Sequence, residues 1–180
     1  GETVQGALFQ AVTPRTAGYN TLDLSQLSEP SRLLITLLML VGGSPGSTAG
    51  GFKVTTLAVF VLAARAVFRR RADLQCFGRR LPTEILRSAA AVLMMYLGLF
   101  LLGGMAICCV EDISLEAALF ETASALGTVG LTLGVTPGLG GVSRLILIFL
   151  MYFGRVGGLT LIYAVLPDSG AAPAQLPQER

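Results

Sequence analysis

Two glycine-centred stretches at a fixed spacing constrain this chain more than anything else in it. Thr16-Ala17-Gly18-Tyr19-Asn20 returns 112 residues later as Thr128-Val129-Gly130-Leu131-Thr132. Ser31, Arg32, Leu33, Met39 and Gly42 match Ser143, Arg144, Leu145, Met151 and Gly154 at the same offset. Phe9 and Phe120 sit one residue out of that register, so the second copy is one residue shorter before its loop. The repeated unit reads as a short helix, a glycine loop and a longer apolar helix.

What surrounds the loops points to a membrane. The 180 residues are 53% hydrophobic and 13% charged, with a mean hydropathy of +0.70, whereas an ordinary soluble domain is about 25% charged. The short helices, Val4 to Val12 and Ser114 to Leu126, fall far below the ~20 residues that span a bilayer. A short helix ending in a polar loop at membrane depth is the form of a re-entrant segment, whose loop must line water or be buried in protein. Ser114 is placed to cap the second, with Glu116 one residue short of the capping-box position. Ser31 to Gly42 and Phe52 to Phe68 are apolar and helical, and neither spans alone. Between them Gly42-Gly43-Ser44-Pro45-Gly46-Ser47-Thr48-Ala49-Gly50-Gly51 carries five glycines and a proline, through which no helix runs smoothly. The two halves form one crossing interrupted at depth, as in ion-handling proteins; the plain alternative is an extramembrane loop between interfacial helices. Leu86 to Val110 is an uninterrupted span, with Gly98, Gly103 and Gly104 permitting close helix contacts. Val142 to Leu166 is the last span.

Charge gives an orientation. Arg65, Arg69, Arg70, Arg71, Arg79, Arg80 and Arg87, with only the acids Asp73 and Glu84 among them, make the loop over 65–87 cytoplasmic. Asp23, Glu29, Glu111, Asp112 and Glu116 fall on the opposite side, where an acidic mouth raises local cation concentration. The tail over 167–180, polar with three prolines, is cytoplasmic. The expected fold is an all-α integral membrane protein with re-entrant pore helices and one broken transmembrane helix. It divides into a partial repeat over 1–80, a complete membrane-pore-membrane repeat over 81–166 and the tail. The start, Gly1 to Thr3, has no signal-peptide character, and the first copy lacks the leading span that the second has. The chain therefore reads as beginning inside a larger protein.

Several functions are excluded. Without His there is no His-based metal site and no Ser-His or Cys-His catalysis. Cys76, Cys108 and Cys109 have no metal spacing, and the adjacent pair lies in an apolar run where Cys packs as a small hydrophobe. Gly46 and Gly51 have the spacing of a phosphate loop, but Phe52 stands where Lys is required and Lys53 comes one position late. The Arg cluster belongs to no nucleic-acid module. Nothing supports an enzyme, and no cofactor is expected.

The loops suit a dehydrated monovalent cation. Such an ion needs several oxygens in place of its hydration shell, and backbone carbonyls supply them without fixed charge. Glycine permits the backbone geometry that turns carbonyls inward, and the short helices aim their partly negative C-terminal ends at the site. The candidate carbonyls are those of Thr16, Ala17, Gly18, Thr128, Val129 and Gly130. Two loops do not close a four-fold ring, so further copies must come from the parent chain or an assembly. Arg155 is a charge within the last span and by default functional. It is an electrostatic barrier or gate partner, with snorkelling or carbonyl capping as the plain alternative. Lys53 is either a second such charge or an interfacial one.

The block Thr13-Pro14-Arg15-Thr16-Ala17-Gly18-Tyr19-Asn20-Thr21-Leu22-Asp23, with Gly42 to Lys53, resembles the Trk/Ktr/HKT superfamily of potassium transporters, most closely the KtrB-type membrane subunit. The similarity runs from about Leu8 to Leu166. That family arranges four membrane-pore-membrane repeats around one pore, and this chain resembles the third repeat without its first helix plus the complete fourth. The resemblance implies filter strands at Thr16, Ala17, Gly18 and Tyr19 and at Thr128, Val129, Gly130 and Leu131, with potassium as the ion. It makes Gly42 to Gly51 an intramembrane gate opposed to cation passage together with Arg155. It further implies a multi-pass plasma-membrane subunit, a homodimer of the full-length chain on a cytoplasmic nucleotide-binding ring, and sodium as an activating ion in the Ktr branch.

Two other readings compete. A secondary solute transporter would bind its solute and coupling ion at the broken helix, but both glycine loops lie on the acidic side, as parallel repeats require and an inverted pair would not. A non-conducting membrane fragment is the third.

Overall fold

The computed structural model describes residues 2–15, 17–19, 24–44, 46–47, 49–70, 75–76, 79–80 and 82–157. Among the described residues six α-helices follow in order: α1 Glu2–Val12, α2 Glu29–Leu40, α3 Val54–Phe68, α4 Thr83–Val110, α5 Leu115–Leu126 and α6 Gly141–Val156. The two copies share their element order. Each short helix leads into a glycine of positive φ (Gly18 at 69°, Gly130 at 90°), then a 3-10 turn, then a longer helix. The turns, Leu24–Gln26 and Thr136–Gly138, fall at the same 112-residue offset as the loops.

Two details differ from the expected architecture. The all-α expectation gains a two-residue antiparallel pair, β1 Gln75–Cys76 with β2 Arg79–Arg80, inside the Arg-rich loop. The last helix stops at Val156, because Gly157 takes φ 81° and breaks the helical path; the expected continuation to Leu166 lies outside the described residues. The sixteen residues of α6 rise about 24 Å, short of a ~30 Å hydrocarbon core. Among the described residues α4 alone is long and apolar enough to cross a membrane.

The short helix α5 is the axis of the packing. Ala118 and every residue from Phe120 to Leu126 are buried, enclosed by α2, α4 and α6. Its start is fixed by Ser114, whose hydroxyl accepts from the Ala117 amide at 3.3 Å and satisfies one of the orphan donors of the first turn. α4 meets this core through its glycine pair. A Cβ at Gly103 would stand 2.8 Å from Leu150 of α6, and one at Gly104 2.6 Å from Leu119 of α5. Gly98 faces open space. Below them Tyr96 of α4 packs edge-on against Phe52, with ring centroids 6.5 Å apart. The outer faces stay apolar: Leu33, Leu34 and Leu37 on α2, Leu101, Leu102 and Met105 on α4, and Leu145, Ile148 and Phe149 on α6 are all exposed. Exposed apolar surface on three helices is characteristic of a membrane or protein contact face.

At the acidic end, α4 is tied to α6 by Glu111, just past the end of α4. Its Oε1 accepts from the Ser143 hydroxyl at 2.8 Å and the Gly140 amide at 2.7 Å. These bonds hold its carboxyl below the usual carboxylate range, the Ser143 bond most, with the Arg144 charge adding a smaller push in the same direction. A pKa lowered by folding gives stability that is complete above the unfolded value of ~4.3 and is lost as pH falls through the folded value. Glu111→Gln in the full-length protein is expected to lower the melting temperature at pH 7, and the gap from the parent is expected to close as the pH drops below about 4. Melts across that pH range check it; a gap of constant size would assign Glu111 to packing rather than to charge.

Candidate functional site

The two glycine loops meet. A Cβ at Gly18 would run into the Val129 carbonyl, so the loops pass backbone against backbone, and at φ 69° only glycine is unstrained. Each loop is folded back on the helix before it. The Ala17 and Gly18 amides bond the Thr13 carbonyl, both at 3.2 Å, and the Thr13 hydroxyl donates to the Tyr19 carbonyl at 2.9 Å. In the second copy the Thr128 amide bonds the Ala125 carbonyl at 3.1 Å and the Val129 amide bonds that of Ser124 at 2.9 Å. Thr128 itself stands at φ 53°, which costs about 1–3 kcal/mol in a non-glycine residue and requires support from its neighbours. The Val129 and Leu131 side chains are buried in the core, while Tyr19 and Gly130 are exposed. Thr16 lies outside the described residues.

The Gly-rich stretch between α2 and α3 is pinched at its ends. Val41 and Phe52 form an isolated parallel bridge, with the Gly42 amide on the Phe52 carbonyl at 2.8 Å and the Phe52 amide on that of Leu40 at 3.2 Å. A Cβ at Gly42 would strike the Gly50 carbonyl, and one at Gly51 would stand 2.6 Å from the Leu40 carbonyl. Gly46 and Gly51 adopt φ 84° and 73°. Gly43, Ser44, Gly46, Ser47 and Ala49 form the rest of the described turn; Pro45 and Thr48 lie outside it. Lys53 folds back over this turn and donates from Nζ to the Ala49 carbonyl at 2.7 Å and the Ser47 carbonyl at 3.2 Å.

This stretch is bonded to the second glycine loop. The Gly50 amide donates to the Thr128 hydroxyl at 3.0 Å, and the Gly51 amide to the Leu126 carbonyl at 3.2 Å. The last carbonyl of α5 is thus taken by the Gly-rich stretch. Two more glycines allow the approach: a Cβ at Gly127 would meet the Met39 carbonyl, and one at Gly154 the Leu126 carbonyl. Beside the junction is a cleft of about 420 Å³ lined by Ser47, Ala49, Gly51, Lys53, Tyr96, Gly154 and Arg155, among others. The structure therefore gathers the described part of the Gly-rich stretch, Lys53 and Arg155 around one cleft, with the second loop next to it. The cleft thus brings backbone carbonyls and two cationic side chains together. Among the described residues no group of His, Cys, Asp or Glu could hold a metal ion.

Sequence reasoning missed Glu121. It is 4% exposed in the middle of α5. Its Oε1 accepts from the Thr132 hydroxyl at 2.6 Å and the Leu133 amide at 3.1 Å, and its Oε2 from the Thr136 hydroxyl at 2.6 Å. The available signal was an acid inside a short apolar helix with two threonines just beyond the loop. A second interaction crosses the copies: Arg32 at the start of α2 pairs with Glu116 at the start of α5, Nε to Oε1 3.0 Å.

The chain matches the cation transport protein family TrkH over residues 1–170. It is 38% identical over 177 residues to the potassium/sodium uptake protein NtpJ of Enterococcus hirae, an alignment covering 96% of this chain and 39% of that protein. It is 40% identical over 156 residues to the Ktr system potassium uptake protein B of Bacillus subtilis, covering 87% of this chain and 35% of that one. The fold is similar to the crystal structure of the potassium transporter TrkH from Vibrio parahaemolyticus, with a TM-score of 0.75 and 24% identity over 89% of this chain and 36% of that one. The chain thus spans under two fifths of the length of these relatives. Helical fold and relatives together fit an all-α membrane protein, and the chain belongs to the TrkH family of cation transport proteins.

Proposed function

We propose that this chain supplies two of the loops lining a potassium-uptake pore, with the Gly-rich stretch as a gate beneath them. The observation that carries the reading is the junction: two glycine loops in backbone contact, Gly18 against Val129, and the Gly-rich stretch bonded to Thr128 from one side. Thr16, Ala17, Gly18, Tyr19 and Thr128, Val129, Gly130, Leu131 are the filter segments, and the ion is held by the carbonyls of Thr16, Ala17, Gly18, Thr128, Val129 and Gly130. α1 and α5 are re-entrant pore helices, and α2 and α3 are the halves of one broken crossing. The division over 1–80, 81–166 and 167–180 follows these units, with the 65–87 loop and the C-terminus cytoplasmic. The potassium and sodium in the relatives' names support K+ as substrate and Na+ as a second ion. A homodimer of the full-length chain on a nucleotide-binding cytoplasmic ring completes the proposal.

In this reading the gate is shut by electrostatics and hydrogen bonds. Lys53 ties the turn through Ser47 and Ala49, and Arg155 adds its charge to the same cleft. A bare cation crossing there meets two like charges in a medium of lowered dielectric. Opening requires the bonds from Lys53 to Ser47 and Ala49 to exchange for others.

Rubidium uptake by the full-length parent, in cells lacking their own potassium transporters, tests the pathway. Gly18→Asp places a side chain on the Val129 carbonyl and is expected to abolish uptake at equal expression. Gly130→Ser, where a Cβ meets nothing within 4 Å but φ 90° strains any side chain, is expected to reduce uptake at least tenfold at equal expression. Normal uptake in both variants would remove these loops from the ion path. Lys53→Met tests the gate. A hydrogen bond to a charged group is worth about 1.5 kcal/mol, a tenfold factor in an equilibrium, so resting uptake is expected to rise several-fold. A fall instead would make the Gly-rich stretch a support for the pore rather than a brake.

A further inference from the structure

The structure assigns Glu121 as a positioning residue that holds the outer end of the second loop and carries a buried negative charge behind it, setting cation affinity; this rests on the pore reading above. A carboxylate taken out of water is tolerated only when its oxygens are satisfied. Glu121 is buried, and among the described residues its hydrogen-bond partners come from one short segment, 132–136. Two hydroxyls and one amide donate to it, the pattern of a group that only accepts, as an ionised carboxylate does. The Thr132 hydroxyl accepts in turn from the Gly134 amide at 2.9 Å, and Thr136 opens the 3-10 turn that leads to α6. The chain leaving Gly130 is therefore wrapped around one carboxylate, which links it back to the helix from which the loop starts.

The first copy has a neutral residue in this place. Gln10 lies 111 residues before Glu121, in the register of Phe9 and Phe120. It too is buried, and its amide has no hydrogen-bond partner among the described residues. Among the described residues Glu121 has no ion-pair partner, Arg32 being paired with Glu116. The two loops thus differ in charge behind glycines, Gly18 and Gly130, that both take positive φ. The negative charge at the second loop favours cation occupancy there, and its three bonds limit how far the loop relaxes around a smaller ion.

Glu121→Gln keeps the shape and one acceptor oxygen but removes the charge and half the accepting capacity. The test has two readouts on the full-length protein: the apparent KM for rubidium uptake with sodium as competitor, and the concentrations of potassium, rubidium and sodium that half-maximally raise the melting temperature of the purified protein. The expected result for Glu121→Gln is an apparent KM at least fivefold higher, with weaker discrimination against sodium, whatever the change in the ion-free melt. A purely structural brace would lower the ion-free melt and leave KM and discrimination intact, and that result overturns the proposal. Thr136→Val, which removes one donor and leaves the acid in place, is the second variant should Glu121→Gln not accumulate. It is expected to shift both readouts in the same direction, and unchanged values overturn the proposal. Absence of rubidium uptake by the parent would count against the pore reading alone, because the melts still report whether Glu121 sets cation affinity, and equal half-maximal concentrations in parent and variant would sink this proposal.

Discussion

The backbone junction around Leu126, Gly127 and Thr128 is the constraint on which the rest of the fold depends. The end of α2, the Gly-rich stretch and α6 approach within backbone contact of this one turn, at positions where a Cβ has no room. Gly50, Gly51, Gly127 and Gly154 are glycines because carbonyls or hydroxyls occupy the space a side chain would take. Each donor or acceptor exposed by the abrupt end of α5 must be satisfied, since water is not freely available inside such a core. The Gly51 amide satisfies the Leu126 carbonyl, and the Thr128 hydroxyl satisfies the Gly50 amide. A buried unpaired group here would cost about 1–3 kcal/mol, so the Gly-rich stretch and the second loop stabilise each other's conformations.

That mutual dependence explains why a helix as short as α5 persists. Twelve residues are marginal as an isolated helix. α5 is held instead by burial on almost every side, by the Ser114 cap at its start and by the junction at its end. Its small residues, Ala117, Ala118, Ala123, Ser124 and Ala125, let α4 and α6 come close, and the α4 glycines complete the fit. The strained φ of Thr128 is maintained by the same packing, which leaves the loop with one well-defined shape.

The helices, the glycine loops and the Gly-rich break were legible in the sequence because each depends on local chemistry. The spacing of Gly18 and Gly130, the apolar run of α4 and the clustering of glycines after Leu40 are read within a window of a few residues, and the repeat carries them across the chain. The stop of α6 was less visible, since Gly157 and Gly158 inside an apolar run are compatible with a continuous helix until a backbone angle chooses otherwise. Glu121 was not read as a site. Its partners lie eleven to fifteen residues away, and the pairing exists only once the loop has turned back over α5. The bonding of Gly50 to Thr128, across 78 residues, is invisible to any local pattern. The roles of Lys53 and Arg155 were left open by the sequence for the same reason, since their shared cleft is a product of tertiary packing.

The parts of this core are anchored unequally. α5 and its loop are tied by burial and by Glu121. Among the described residues in the middle of the Gly-rich stretch, Ser44, Gly46 and Ser47 are exposed, and the bonds from Gly50 and Lys53 run to backbone carbonyls and one hydroxyl. Segments with few buried apolar contacts and several glycines open at low free energy while the surrounding helices stay folded. The Val41–Phe52 bridge fixes both ends of the turn, so displacement of its middle need not disturb α2 or α3. On the proposed reading, this lets one pore combine a filter that must not deform with a gate that must, a few ångströms apart, because the two rely on different kinds of interaction.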